Sequence, residues 1–504
     1  MKYAPLWLFL FALALRLVLI GLTGLDGLYG QDAFAYYNCA ANIVQSHSVP
    51  CGDFYWPMGY PVLAALFMFL THAMPFGAQL ASVVAGAAVA PLAYWIVFEG
   101  ELAGAARADE PRMAVAAGLI AALCGGLLQS SIEVMSDASG LFWATLSACL
   151  LLRWGRTGST DRWQPLWLVL AASALAFAVV TRWIFGGLVL PFGAFAALIG
   201  YQRLVREAPR EKSRLSVVLL SVAAAGIAFL AVLLPQLYLN AHSGAPVLKH
   251  GWVVNWSPLS AIHSSFDNPD GHFEYRWPPL LYYAEPFVHP VFLFPLLTPC
   301  VFVGAWQLRR APALILLGGW IATLYLYLSG VPYENARFGL AFFAPIAVLA
   351  AVGLFRIALP ERLRSAPWRW SLLAVALLLA LPFTWRSLAQ FRSLVGSQTE
   401  AIRYLKGRVA PDSIVVSFEL SISLQHYTNF AVVDLYDQSP ATLRTAVCKG
   451  SPAFLYVEPD KLNSQWVGKS PAQNFHWLQQ AVGLQEQGRW AGWTLYRVQS
   501  CNAT

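Results

Sequence analysis

Long apolar runs broken by short polar connectors pattern most of the chain, and only its last stretch departs from them. A bilayer core takes roughly 20 apolar residues per helix. Runs of that kind lie near 5–24, 77–98, 113–130, 138–154, 165–181, 183–201, 215–235, 289–308, 311–329, 339–356 and 371–386. Residues 60–74 are apolar but only long enough for an interfacial or re-entrant helix. The 165–201 stretch exceeds one helix and is split at Arg182. The pattern predicts a polytopic α-helical membrane protein of about eleven transmembrane helices. The first run, Leu6 to Leu22, is read as a retained helix because no small-residue cleavage site follows it.

Beyond residue 387 the pattern changes. Helical periodicity there alternates with short β-rich runs at Ser413 to Phe418, Phe430 to Leu435, Ala453 to Val457 and Trp493 to Val498. Alternation of this kind predicts a small α/β domain. No Gly-rich phosphate loop or nucleophile constellation marks it, and it is read as a structural lid or acceptor-docking module. Residues 1–386 form the expected membrane domain and 387–504 the soluble domain.

Composition agrees with lipid as the main solvent. Hydrophobic residues make up 58% of the 504 and charged residues 12%, against about 25% charged in soluble domains. The formal net charge of +7 sits in connectors, not in a basic arm or zinc-spaced cluster, so nucleic acid is not an expected partner. Arg107 and Arg112; Arg153, Arg156 and Arg162; Arg203, Arg206, Arg210, Lys212 and Arg214; Arg309 and Arg310; and Arg356, Arg362, Arg364 and Arg369 fall on alternate connectors. With Lys2 they place those connectors in the cytoplasm. The loops 25–76, 131–137, 236–288 and 330–338 and the carboxyl-terminal domain then lie outside.

Seven cysteines sort on this topology. Cys124, Cys149 and Cys300 lie in or beside spans as small apolar residues. Cys39 and Cys51 share the first external loop and Cys448 and Cys501 the carboxyl-terminal domain, so each pair is a candidate disulfide in an oxidising compartment.

Candidate chemistry gathers on the external face. Gly30-Gln31-Asp32-Ala33-Phe34-Ala35-Tyr36-Tyr37 follows the first span, and Phe54-Tyr55-Trp56-Pro57-Met58-Gly59-Tyr60-Pro61 comes later in the same loop. If a helix starts near Asp32, Tyr36 and Tyr37 fall on its next turn. An Asp at a helix start is equally an N-cap, and from the residues alone that reading and a catalytic one stand side by side. Glu133 and Asp137, four apart on the second external turn, would share a face if that turn is helical. They can orient an acceptor, bind a divalent cation, or simply cap and solvate. His242, His250, His263, His272 and His289, with Lys249, Asp267, Asp270, Glu274 and Glu285, populate the large loop at spacings that match no metal motif. Trp252, Trp256, Trp277, Tyr282 and Tyr283 there suit sugar stacking or an aromatic belt.

An acid before a short aromatic-bearing helix, then Gly52-Asp53-Phe54 and the Pro57 to Pro61 approach to an interfacial helix, resembles the first external loop of the GT-C glycosyltransferases. These include the lipid A aminoarabinose transferases and the protein O-mannosyltransferases. Met135-Ser136-Asp137, Thr181-Arg182 and Arg337-Phe338 resemble family positions at outer helix ends. The resemblance covers residues 1–386 and implies a GT-C-like fold with catalytic external loops.

It implies an inverting glycosyltransferase in the inner (plasma) membrane with a periplasmic carboxyl-terminal domain. The donor would be a polyprenyl-phosphate-linked sugar, and the acceptor an envelope glycan, lipid or protein hydroxyl. By the resemblance Asp32 is the catalytic acid, acting as base toward the acceptor. Tyr36, Tyr37, Trp56 and Tyr60 are candidate sugar or lipid contacts. Aminoarabinose-type enzymes often carry a Lys where this chain has Trp56, so another cation must hold the phosphate: Arg337, Arg276 or Arg182. As alternatives those arginines anchor at the interface or pair with Glu334, Glu274 or an aromatic face. No cofactor is expected to be required, and a divalent cation stays open. A transporter or flippase of a lipid-linked glycan, or a glycan polymerase or ligase with a pyrophosphate-linked donor, are the competing readings. A transporter normally places ionisable groups near the midplane, whereas here the acids cluster at external ends and Arg16 alone lies within a span.

Overall fold

The computed structural model describes residues 3–49, 51, 54, 56–72, 74–104, 107–157, 163–207, 212–242, 255–357, 366–436, 438–448 and 452–499. Gly52, Asp53, Tyr55, Arg162, Arg210, Lys249, His250, Trp252, Arg362, Arg364 and Cys501 lie outside the described residues.

The apolar runs become helices: α1 (Ala4–Thr23), α4 (Phe76–Glu99), α7 (Ser136–Arg156), α8 (Gln164–Thr181), α9 (Val189–Glu207) and α10 (Lys212–His242), with Ala313–Ser329 and Phe343–Arg356 following. Between α1 and α4 lie two shorter helices, α2 (Gly30–Ser46) and the apolar α3 (Gly59–Thr71). Seven helices among the described residues are long and apolar enough to cross a membrane, up to eight counting one bent pair. The chain is therefore a multi-pass membrane protein.

Three runs behave differently from a simple span. The 113–130 run is two helices, α5 (Glu110–Leu123) and α6 (Gly125–Ile132), bent by 53°. Cys124 takes an extended conformation between them, and Gly126 N donates instead to Val291 O at 3.0 Å. In the 289–308 run only Thr298–Gln307 forms an α-helix. Proline at 290, 295 and 299 removes N–H donors and disfavours helix in each preceding residue. The 371–386 run continues as one helix, Ala366–Lys406, so residue 386 falls inside a continuous helix.

The carboxyl-terminal domain is a five-stranded sheet, β3 (Ile414–Ser417), β4 (Ala431–Asp434), β5 (Ala453–Val457), β6 (Leu484–Trp490) and β7 (Trp493–Val498). Its order is β4-β3-β5-β7-β6, parallel through β5 and antiparallel after it. A hairpin, β1 (Ser265–Asn268) and β2 (Gly271–Glu274), stands in the 236–288 loop. Four of the five domain strands match the expected runs; β6 and the hairpin were not expected. Cys39 and Cys51 are disulfide-bonded, while Cys124, Cys149 and Cys300 are free and buried. Cys448 is disulfide-bonded.

Candidate active site

Two turns are stitched together before any functional side chain is placed. Gly24 caps α1 in the left-handed region at φ 65°, and Gly27 follows at φ 83°. A Cβ on Gly27 would sit 3.0 Å from the Val134 side chain, so only glycine fits this crossing. Val134 N donates to Gly27 O at 2.9 Å. From α4, the buried Gln79 amide donates to Leu25 O at 3.1 Å and Ile132 O at 2.7 Å. The turn that delivers Asp32 and the turn that delivers Glu133 are thus one unit.

Asp32 stands in the first turn of α2, where the exposed N–H groups favour a negative charge. It does not cap the helix by side chain; the N-cap position is Tyr29. The partner of Asp32 comes from the other end of the membrane domain. Asn335 Oδ1 accepts from Arg337 N at 3.2 Å and starts the 3₁₀ segment Ala336–Phe342. Asn335 N in turn donates to the Tyr283 hydroxyl at 3.3 Å. So fixed, Arg337 Nη2 donates to Asp32 Oδ2 at 2.5 Å. Both side chains keep roughly a third of their surface open, at 30% and 31%.

A cavity of about 580 Å³ opens beside this pair. Asp32, Glu133, Gln129, Glu285, His289 and Arg337 supply its polar lining. Val291, Phe292, Leu340, Phe391 and Leu394 supply an apolar one. Such a cavity can take a ligand with a polar head and a hydrocarbon body, and Arg337 is the one guanidinium among its described lining residues. Glu133 is held by Gln129 Nε2 at 3.1 Å, and Ser387 donates to Gln129 Oε1 at 2.9 Å. Burial pushes the Glu133 carboxyl up to about 7. Burial, followed by the charge of Glu285, likewise pushes Glu334 up to about 8. Among the described residues no group of three or more His, Cys, Asp or Glu is placed to hold a metal ion.

The other candidates go elsewhere. Glu133 (φ −98°, ψ 152°) and Met135 (φ −141°, ψ 150°) are extended, so Glu133 and Asp137 do not share a helix face. Asp137 is instead buried against Arg182 at 2.7 Å, and neither lines the cavity. Arg182 also donates to Ser136 Oγ at 3.4 Å and lies over the Phe338 ring. Arg276 is exposed and lies over Trp277, away from the cavity lining. Tyr36, Trp56 and Tyr60 form an aromatic cluster behind α2, with Tyr36 5.8 Å from Trp56 and 5.1 Å from Tyr60. The Tyr36 hydroxyl meets Ser136 Oγ at 3.0 Å and that of Tyr60 meets Ser82 Oγ at 2.8 Å. Tyr37 packs edge-on against His426 of the carboxyl-terminal domain. Tyr36, Tyr37 and Tyr60 are buried, and none of the four aromatics is among the residues lining the cavity. Arg16 is fully buried and donates to Ala12 O at 2.9 Å, so it does not reach the interface.

Gln129, Ser387 and Asn335 carried no sequence signal as site residues. Each acquires its place from a contact with a distant element.

Residues 58–243 match the family described as Dolichyl-phosphate-mannose-protein mannosyltransferase. The fold is similar to that of ArnT from Cupriavidus metallidurans bound to undecaprenyl phosphate, with a TM-score of 0.64, 15% identity and 99% of each chain covered. It is also similar to the archaeal oligosaccharyltransferase AglB from Archaeoglobus fulgidus, in complex with an inhibitory peptide and a dolichol-phosphate. There the TM-score is 0.56 and the identity 14%, covering 100% of this chain and 75% of that one. Among curated proteins, sequence comparison finds no match. The family match and the shared fold bear out the resemblance to GT-C glycosyltransferases and, with it, the expectation of a membrane glycosyltransferase.

Proposed function

We propose that the chain moves a sugar from a polyprenyl-phosphate carrier to an acceptor hydroxyl on the outer face of the inner (plasma) membrane, with inversion. The observation that carries this reading is the Asp32–Arg337 pair at the wall of a cavity lined by both polar and apolar side chains. A polyprenyl phosphate has the matching division, an anion on a hydrocarbon chain. ArnT binds undecaprenyl phosphate in a similar fold, which supports the same class of carrier here.

Arg337 moves from Asp32 to the donor phosphate, and the Asp32 carboxylate is left free to take the acceptor proton. The acceptor oxygen attacks the anomeric carbon as the carrier phosphate departs, its charge held by the guanidinium. Arg337 fills the cationic role left open by Trp56. Arg182 already neutralises Asp137, and Arg276 is not among the residues lining the cavity. Because Arg337 supplies the countercharge, transfer is expected to persist in EDTA; loss restored by Mg²⁺ or Mn²⁺ would add a cation to the site.

The acceptor is an envelope glycan, a lipid or a protein hydroxyl, approaching from the periplasmic side where the carboxyl-terminal domain lies. Donor trials separate this reading from its neighbour. Radiolabelled undecaprenyl-phosphate monosaccharides should be consumed by the reconstituted protein in the presence of an envelope extract. Consumption of undecaprenyl-pyrophosphate oligosaccharides alone would replace it with a polymerase or ligase.

A further inference from the structure

The cavity holds a second carboxyl whose setting differs from that of Asp32. Asp32 meets a guanidinium, whereas Glu133 has no ion-pair partner among the described residues and meets the neutral amide of Gln129. That amide is itself oriented by Ser387 from the Ala366–Lys406 helix, so a chain of two hydrogen bonds fixes the carboxyl against the cavity. Both carboxyls line the same space as Arg337.

We infer that Glu133 is the general acid of the transfer, delivering a proton to the phosphate oxygen that leaves the anomeric carbon, with Gln129 and Ser387 as its positioning residues. The inference rests on the transfer reading above. Its balance closes. The acceptor O–H proton goes to Asp32 as the acceptor oxygen bonds to the anomeric carbon. The bond from that carbon to the phosphate oxygen breaks, its electron pair stays on the oxygen, and Glu133 supplies the proton. Transfer of the proton from Asp32 to Glu133 restores both groups. The product is then a carrier phosphate monoanion, and no proton is gained or lost overall.

The surroundings favour the protonated form of Glu133 relative to a free carboxyl. Burial raises it to about 7, Gln129 and then Arg337 oppose the rise, and Asp137 and Asp32 add to it. Tyr29, Glu285 and His289 are the other titratable groups on the cavity wall. When phosphate engages Arg337, the cation's opposition weakens and the neutral form gains further. The acid is present below its folded value and is lost as pH rises through it.

Full-length protein in liposomes would be assayed across pH with undecaprenyl-phosphate monosaccharides and an envelope extract. For wild type, turnover should fall above about pH 7. Glu133→Gln should lower turnover about 10²-fold at pH 6 and abolish that alkaline limb. Gln129→Met, which removes the hydrogen bond that favours the carboxylate, should move the limb to higher pH. A Glu133→Gln enzyme with wild-type turnover or an unchanged limb overturns the inference and leaves the transfer reading intact. If that variant does not fold, an unmoved limb in Gln129→Met overturns it. No transfer by wild type overturns the transfer reading and this inference with it.

Discussion

Arg182 and Asp137 retain 16% and 4% of their side-chain exposure, about half or less of what Arg337 and Asp32 keep. Removing one partner of a buried pair leaves an uncompensated charge, at a cost of about 3–5 kcal/mol. Arg182→Met should therefore lower the melting temperature of the protein in nanodiscs, and Arg182→Met with Asp137→Leu should recover most of it. Arg337→Gln belongs to a more open site and should leave melting nearly unchanged while lowering kcat/KM for the lipid-linked donor. Equal melting for Arg182→Met and wild type would contradict the division of labour between the two arginines. The place of Asp32 in the first turn of a helix was legible in the sequence, because an acid before aromatics on the next turn needs only local geometry. The separate placements of Glu133 and Asp137 were not. Their spacing suits a helix, but the backbone there is extended to satisfy Gln79 and Gly27, partners 53 and 107 residues away by number.

At the level of elements, hydrophobic runs fixed the positions of the helices well and their continuity poorly. The break at Cys124 is stabilised by Val291 O, a tertiary contact, and runs 289–308 and 371–386 were likewise shaped by proline placement and by packing. Glycines show where helices approach most closely. A Cβ on Gly304 would sit 2.1 Å from Leu349 O, and one on Gly353 would sit 1.8 Å from Cys300 O. Thr298–Gln307 and Phe343–Arg356 therefore touch backbone to backbone, as small residues allow in lipid. Gly353→Ala should sharply reduce the yield of folded protein, measured as the monodisperse fraction after extraction. Gly193→Ala, where nothing lies within 4 Å, is the matched control and should be silent. The Cys39–Cys51 disulfide ties the end of α2's middle turn to the segment before α3 across a separation of 12 residues. Loops of such length contribute about 3 kcal/mol when closed. Its reduction should lower the melting temperature of the external face; an unchanged melting curve would show that packing alone holds the loop.

On the scale of the whole molecule, the carboxyl-terminal domain is fastened to both sides of the site. Tyr427 donates to Asp26 Oδ2 at 2.7 Å, Gly30 N donates to Gln398 Oε1 at 3.3 Å, and His272 N donates to Gln465 O at 2.6 Å. The Ala366–Lys406 helix supplies Ser387, Phe391 and Leu394 to the cavity and then carries the domain above it. No local pattern reveals such pairings, because they join residues hundreds apart in number. Tyr427→Ala should therefore lower transfer while leaving the membrane helices folded. The central claim is that this cavity performs sugar transfer with Asp32 as base, and one measurement addresses it most directly. Wild type and Asp32→Asn, each reconstituted in liposomes, would be given radiolabelled undecaprenyl-phosphate sugars with an envelope extract. The account predicts label in the extract for wild type and a loss of at least about 10²-fold for the variant. Equal transfer by both proteins, or passage of the lipid-linked sugar across the bilayer with no transfer, would contradict it.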